Sequence, residues 1–254
     1  MPRFFIRGNQ IEGDIIVLQG DDAHHIARSL RMAVGESLTV CDMQGNEYSC
    51  TIEYFNEDIE VGVRITSVKG AENEPTCRIR LFQALPKGDK LDTIIQKAVE
   101  CGASEIVPFE SERCIVRIKH EAEERKTERR NRIALEAAKQ CGRSALPAVS
   151  PSVSFDEMLS MIASDDLCLF CYEGDGTVKL GELLQQNKNL LMGNEASKIS
   201  VVIGSEGGFS IFEAERIKSS GAYAVGLGKR ILRTETASGF VLSCLVYATE
   251  LGGL

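Results

Sequence analysis

The sequence predicts an α/β protein in which a mostly parallel sheet follows a smaller β-rich region. Three observations carry this. From Arg78 onward, β-branched apolar runs alternate with segments of helical spacing, the pattern of a parallel sheet covered on both faces. Two of those runs, Ser200–Gly204 and Ala224–Gly228, end in glycine just ahead of a further helical segment or a basic loop. Before residue 73 the β-rich segments are short and separated by Gly, Asn and Asp turns.

Taken in order, Asp14–Leu18, Ser37–Cys41 and Glu47–Ile52 read as strands, with Gly45-Asn46 as a hairpin turn between the last two. Ala23–Met32 has helical spacing, with Asp21 or Asp22 as its cap. The polar stretch Gly70–Pro75 marks a boundary, giving domains at 1–72 and 73–254. Beyond it, Arg78–Leu85 is a strand and Lys90–Cys101 an amphipathic helix ended by Gly102. Glu105–Phe109 is a strand and Glu121–Gly142 a long charged helix. Leu167–Tyr172 and the two glycine-terminated runs are strands, Ile211–Ser220 is a helix, and Thr236–Leu251 is a final apolar helix.

Composition narrows the class. The 254 residues are 43% apolar and 26% charged, which excludes disordered, collagen-like and coiled-coil chains. No apolar run approaches the roughly 20 residues that span a bilayer, and the first residues lack the apolar core of a secretory signal. The nine cysteines, an odd number set mostly in apolar surroundings, read as reduced thiols of a cytoplasmic protein. Net charge is −8, which argues against nucleic acid, but it is unevenly spread. Residues 1–72 hold 6 basic and 12 acidic side chains, whereas residues 113–143 hold 10 basic and 5 acidic ones.

Two segments carry the chemistry. In Val201–Glu213 a buried strand runs into Gly204-Ser205-Glu206-Gly207-Gly208 and then a helix, where Ser210 and Glu213 have capping-box spacing. Glycines there let backbone groups approach a ligand, and ligands of parallel sheets bind beyond the carboxyl ends of strands. In Val225–Ala237 a second strand ends in Gly226 and Gly228, followed by Lys229, Arg230, Arg233 and Thr234-Glu235-Thr236, with Thr234 or Thr236 as the helix cap. Ile231 breaks the dinucleotide-binding GxGxxG, and the Walker A pattern is absent.

Together with Gln83–Lys90, Gln96–Ala103, Ser111–Cys114, Ala137–Arg143 and His24–Arg31, these segments resemble the SPOUT class of methyltransferases. Within it they are most similar to the ribosomal RNA small subunit methyltransferase E family. The resemblance implies a C-terminal trefoil-knotted parallel sheet and an N-terminal PUA-like β-barrel. It also implies S-adenosylmethionine as cofactor, methylation of a uridine N3 in 16S rRNA of the small ribosomal subunit, and a homodimer involving the last helix. Backbone at Gly204, Gly207, Leu227, Gly228, Ile231 and Leu232 is then expected to hold the adenosyl moiety. Arg233, with Arg230 second, faces charge developing on the uracil, and Glu206 or Glu235 assists proton removal. Arg28, Arg31, Arg113, Arg132, Lys139 and Arg143 are expected to face RNA. The family often has Pro where this chain has Ser205, a change that removes a fixed φ from the turn.

Cys168 and Cys171 have C-x-x-C spacing, but on a strand such positions face opposite ways, so no metal is expected there. The histidines, at 24, 25 and 120, form no ligand set in sequence. Two other readings stay open at this level: a knotted methyltransferase acting on a ribose 2′-oxygen or a tRNA base, and a non-catalytic RNA-binding assembly factor.

Overall fold

The short β-branched runs of the N-terminal region pair into a six-stranded sheet in the computed structural model, which describes residues 1–6, 8–57, 59–70, 72–118, 120–193 and 197–253. The strands are β1 (Arg3–Phe5), β2 (Ile11–Glu12), β3 (Ile15–Gln19), β4 (Ser37–Cys41), β5 (Asn46–Asn56) and β6 (Glu60–Gly70). Their order is β1-β4-β5-β6-β3-β2, antiparallel except for β1 against β4. Side chains alternate across the strands, and the inward set (Phe4, Ile16, Leu18, Leu38, Val40, Ile52, Val61 and Val63) forms one core about which the sheet curls. The hairpin β4–β5 turns on Asp42, whose Oδ1 accepts from the Gln44 and Asn46 amides, and Gly45 takes φ +97°.

The helical spacing at 23–32 appears as α1 (Asp21–His24) continuing into a wider π-type turn, His25–Ser29. The expected cap is corrected. Gly20 occupies the N-cap position without a side-chain bond, and Asp21 and Asp22 lie inside the first turn, where they face the positive end of the helix.

The second sheet holds β7 (Arg78–Ala84), β8 (Ala103–Glu110), β9 (Ala148–Val149), β10 (Val153–Ser154), β11 (Leu167–Cys171), β12 (Val178–Lys179), β13 (Lys198–Ile203) and β14 (Tyr223–Gly226). Every pairing in it is parallel, in the order β10-β8-β7-β13-β11-β14-β12, with β9 also on β8. Helices cover this sheet, so its strands are buried continuously rather than alternately, as in all five residues of β11 and in Ile199–Ile203. The helices are α2 (Lys90–Glu100), α3 (His120–Cys141), α4 (Phe155–Ile162), α5 (Leu180–Gln186), α6 (Lys188–Leu191), α7 (Ile211–Ser219) and α8 (Thr234–Thr249). In α2, Leu91, Ile94, Ile95, Ala98 and Val99 form the buried stripe, and Gly102 ends the helix at φ +83°. Cys168 and Cys171 are both buried thiols, and burial pushes Cys168 up to about 12.

Two compact units result, Met1–Glu74 with Ala138–Leu146, and Pro75–Ala137 with Pro147–Leu254. The sequence boundary at 72/73 falls close to this division, although Ala71 of the boundary stretch lies outside the described residues. What the boundary omits is that Ala138–Leu146 joins the first unit. Polar contacts tie it there. Arg143 Nη2 and Nε lie 2.6 and 3.0 Å from Glu74 Oε2, Lys139 Nζ lies 3.0 Å from Asp22, and the Ser144 hydroxyl bonds Glu47.

Glu47 itself is buried beside Arg3 (2.9 Å). Burial pushes its carboxyl up, but the bonds from Arg3 and Ser144 and the charges of Arg3 and Lys69 outweigh this, so its pKa sits below the ordinary value. A depressed folded pKa contributes stability above the unfolded pKa and loses it as pH falls through the folded one. The thermal midpoint of the first unit is therefore expected to drop below about pH 4, and Glu47→Gln is expected to flatten that acid limb. Thermal unfolding followed from about pH 7 to about pH 3 checks this, and an unchanged limb in the variant removes Glu47 from the account.

Candidate active site

Three strand-end loops of the second unit meet at one cleft of about 570 Å³. They follow the carboxyl ends of β13, β14 and β11, where a parallel sheet opens to ligands.

After β13, the chain turns through Gly204–Phe209 into α7. With Ser205 at the proline position the turn still closes, the Gly208 amide donating to the Ser205 carbonyl at 3.0 Å. Gly208 sits at φ +62°, a conformation that favours glycine, and Glu173 Oε1 of the loop after β11 lies close over it. The capping box is present: the Glu213 amide donates to Ser210 Oγ at 3.3 Å, and the Ser210 amide donates to the Glu213 carboxylate at 3.0 Å. Below the turn, the buried Phe209 ring packs edge-on against Phe170 (5.0 Å) and stacks with Phe109 (6.3 Å).

After β14, residues 227–233 form the second loop. Neither threonine caps α8. Arg233 occupies the N-cap position without a side-chain bond, and Thr234 is the first helical residue. Thr234 is instead a clasp. Its buried hydroxyl donates to the Gly204 carbonyl (2.6 Å) and accepts from Gln83 Nε2 (2.9 Å), joining the ends of β7 and β13 and the start of α8.

The third loop, Tyr172–Thr177, is one the sequence reading passed over. Cys171, Tyr172, Glu173 and Thr177 line the cleft. The signal was available: β11 is an apolar run that ends in Tyr-Glu-Gly-Asp-Gly, the same strand-to-glycine pattern as the other two. Lys90 and Gln83 were also missed.

Of the residues expected to hold the cofactor, Gly204, Leu227, Gly228, Ile231 and Leu232 line the cleft, and Ile231 is 87% exposed. Gly207 does not line it. Its carbonyl accepts from Arg113 Nη1 at 3.1 Å, and its Cα packs against the Arg113 backbone and Cβ. Of the expected catalytic residues, Arg230, Arg233 and Glu206 line the cleft, and Glu235 lies in the first turn of α8. Lys90 Nζ is 2.8 Å from Glu206 Oε1 and 3.4 Å from Glu235 Oε2, the second an ionic contact rather than a hydrogen bond. Burial pushes the Glu206 carboxyl up, but Lys90 and the Glu206 and Lys87 amides outweigh it and hold it below the ordinary carboxylate value. Among the described residues Lys229, Arg230 and Arg233 form no ion pair, so the cleft mouth presents three cations that no protein carboxylate neutralises.

The residues expected to face RNA divide. Arg28, Arg31, Arg113 and Arg132 are exposed. Lys139 and Arg143 are corrected: Lys139 is held by Asp22 and lies over the Phe4 ring, and Arg143 is 5% exposed in its pair with Glu74. Phosphates would have to displace those carboxylates.

The cleft is of a size that holds a cofactor of nucleoside dimensions. The Ser205 hydroxyl on its wall is buried without a hydrogen-bond partner among the described residues. Unpaired cations and backbone at glycine-rich turns add donors for a carboxylate and for adenine. The donor set therefore fits an adenosyl amino acid.

Comparison with known proteins places these features. A family model described as an RNA methyltransferase domain matches residues 72–246, and one described as an RNA methyltransferase PUA domain matches residues 18–59. Ribosomal RNA small subunit methyltransferase E of Bacillus subtilis (strain 168) is 34% identical over 99% of this chain and 98% of its own. The crystal structure of the Neisseria gonorrhoeae protein of that name, bound to S-adenosyl methionine, superposes with a TM-score of 0.83 at 30% identity over 97% of both chains. A Legionella pneumophila methyltransferase solved with bound SAM gives 0.82 at 30% identity, again over 97% of both chains.

Proposed function

The chain belongs to the RNA methyltransferase family that includes ribosomal RNA small subunit methyltransferase E, and from that premise we propose that it methylates N3 of a uridine in 16S rRNA. It is a methyltransferase that uses S-adenosylmethionine and acts on ribosomal RNA. The observation that carries the reading is the single cleft at three adjacent strand ends, with unpaired Lys229, Arg230 and Arg233 at its mouth.

When bound, S-adenosylmethionine supplies an electrophilic methyl group on a sulfonium. The backbone of Gly204, Leu227, Gly228, Ile231 and Leu232 holds the adenosyl part, with Gly207 keeping the turn in place through Arg113. Uridine N3 carries a proton at neutral pH, and its loss spreads negative charge onto O2 and O4. Arg233, assisted by Arg230, stabilises that charge. Glu206 is engaged by Lys90 and the Lys87 amide and is a weakened base, so it orients Lys90. Glu235, 3.4 Å from the same lysine in the first turn of α8, takes the proton directly or through a water.

Residues 1–72 serve as the PUA-like RNA-binding domain and 73–254 as the knotted catalytic domain. Supporting the knot, β13 inserts between β7 and β11, and β14 between β11 and β12, so late strands enter among earlier ones. Arg28, Arg31, Arg113 and Arg132 supply RNA contacts. The exposed Phe240 and Tyr247 on α8, beside an apolar groove, support a homodimer through that helix. No helix among the described residues is long and apolar enough to cross a membrane, consistent with work on ribosomal subunits in the cytoplasm.

Incubation with labelled S-adenosylmethionine and unmodified small subunits, with naked 16S rRNA in parallel, tests this. Labelled N3-methyluridine is the expected product after digestion. A different methylated nucleoside overturns the N3 assignment, and absence of label and of cofactor binding overturns the enzyme.

A further inference from the structure

The loop that follows β11 places one more charged group in the cleft. Of the carboxylates lining it, Glu206 is neutralised by Lys90 at 2.8 Å, whereas Glu173 makes no hydrogen bond or ion pair among the described residues. Glu173 is exposed to solvent at the cleft, beside the Gly208 turn. Its Oε1 lies over Gly208, whose φ of +62° favours glycine there. Tyr172, beside it, is fixed by stacking on Phe170 at 5.1 Å, with the Lys218 ammonium 5.2 Å from its ring centre. With Glu206 neutralised by Lys90, an exposed carboxylate without a partner among the described residues, in a cleft that also holds Lys229, Arg230 and Arg233, is a local well of negative potential in a positive rim.

We propose that Glu173 recognises the positive charge of the cofactor and so discriminates S-adenosylmethionine from its demethylated product. This rests on the reading of the cleft as an S-adenosylmethionine site. The two ligands share adenine, ribose and amino acid, and they differ by the sulfonium methyl and its charge. Backbone contacts at Gly204, Leu227 and Gly228 are blind to that difference, and the cations of the rim oppose the charged form. Glu173 favours it, and its interaction weakens once the sulfur is neutral. The same carboxylate therefore promotes loading of the charged cofactor and release of the neutral product.

Calorimetric titration of the full chain with S-adenosylmethionine and, separately, with S-adenosylhomocysteine tests this without turnover. Glu173→Gln keeps the side-chain shape and is expected to weaken S-adenosylmethionine binding about three- to tenfold while S-adenosylhomocysteine stays within about twofold. The wild-type preference for the charged ligand is expected to shrink as salt rises from about 0.05 M to about 0.5 M, and the variant is expected to lose that dependence. Equal weakening for both ligands overturns the proposal, because it assigns Glu173 only to propping the Gly208 turn. No change for either ligand overturns it as well. Failure of the wild type to bind both ligands is a separate result that removes the cofactor assignment itself.

Discussion

Arg233→Ala is expected to lower kcat for methyl transfer about 10²- to 10³-fold while S-adenosylmethionine affinity stays within about twofold, the signature of a group that acts on developing charge. The argument runs from position to charge. Arg233 is the last residue before α8, exposed at the cleft mouth, and forms no ion pair among the described residues. Its backbone carbonyl accepts from the Thr236 and Ala237 amides, so the residue is fixed at its Cα while its guanidinium stays available. A planar fork of N–H donors matches a uracil carbonyl whose oxygen gains charge as N3 loses its proton. Arg233→Lys keeps the charge without the fork and is expected to recover part of the loss. Removing an exposed side chain changes stability little, within about 0.5 kcal/mol, so a kinetic loss in a normally melting protein is attributable to the site. Steady-state rates at saturating cofactor, with calorimetric Kd, make the separation. A collapse in cofactor affinity instead assigns Arg233 to the cofactor's carboxylate and ends its catalytic role.

Features set by neighbours in sequence were readable, and features set by distant partners were not. The capping box at Ser210 and Glu213 lies three residues apart, and the helix end at Gly102 follows from one residue's freedom at positive φ. The parallel sheet was legible because both faces are covered, which leaves unbroken apolar runs such as Leu167–Cys171. Arg143 and Lys139 read as a basic face because Glu74 and Asp22, which hold them, lie 69 and 117 residues away. The two-residue strands β9, β10 and β12 are too short to show a period. Thr234 looked like a cap because its residue type and place suit one, but tertiary contact with Gly204 and Gln83 took its hydroxyl. Glu173 reaches the cleft through a loop that meets the Gly208 turn only in the folded chain.

Phe209→Ala is expected to destabilise the second unit by about 3–5 kcal/mol, a range seen for deletion of a buried aromatic ring. Phe209 is 3% exposed and packs between Phe109 and Phe170, so its loss opens a cavity bounded by rings fixed on β8 and β11, strands with little freedom to close in. The effect reaches the site because the ring also supports the turn above it. A Cβ on Gly204 would stand 2.9 Å from Phe209 Cε2, which shows how closely that backbone lies on the ring. Without the ring, Gly204 loses its floor, and the Thr234 hydroxyl that bonds its carbonyl loses a fixed partner. Cofactor affinity is therefore expected to fall together with stability. Phe209→Leu refills part of the volume and is expected to restore much of the stability but less of the affinity, since a branched aliphatic chain does not reproduce the flat surface under Gly204. Urea unfolding of the two variants, with and without S-adenosylmethionine, reads both effects. A ligand present at about 100 times its Kd stabilises the wild type by about 2.7 kcal/mol. An undiminished ligand-induced shift in Phe209→Ala would uncouple the aromatic floor from the cleft, leaving the ring a purely structural part of the core.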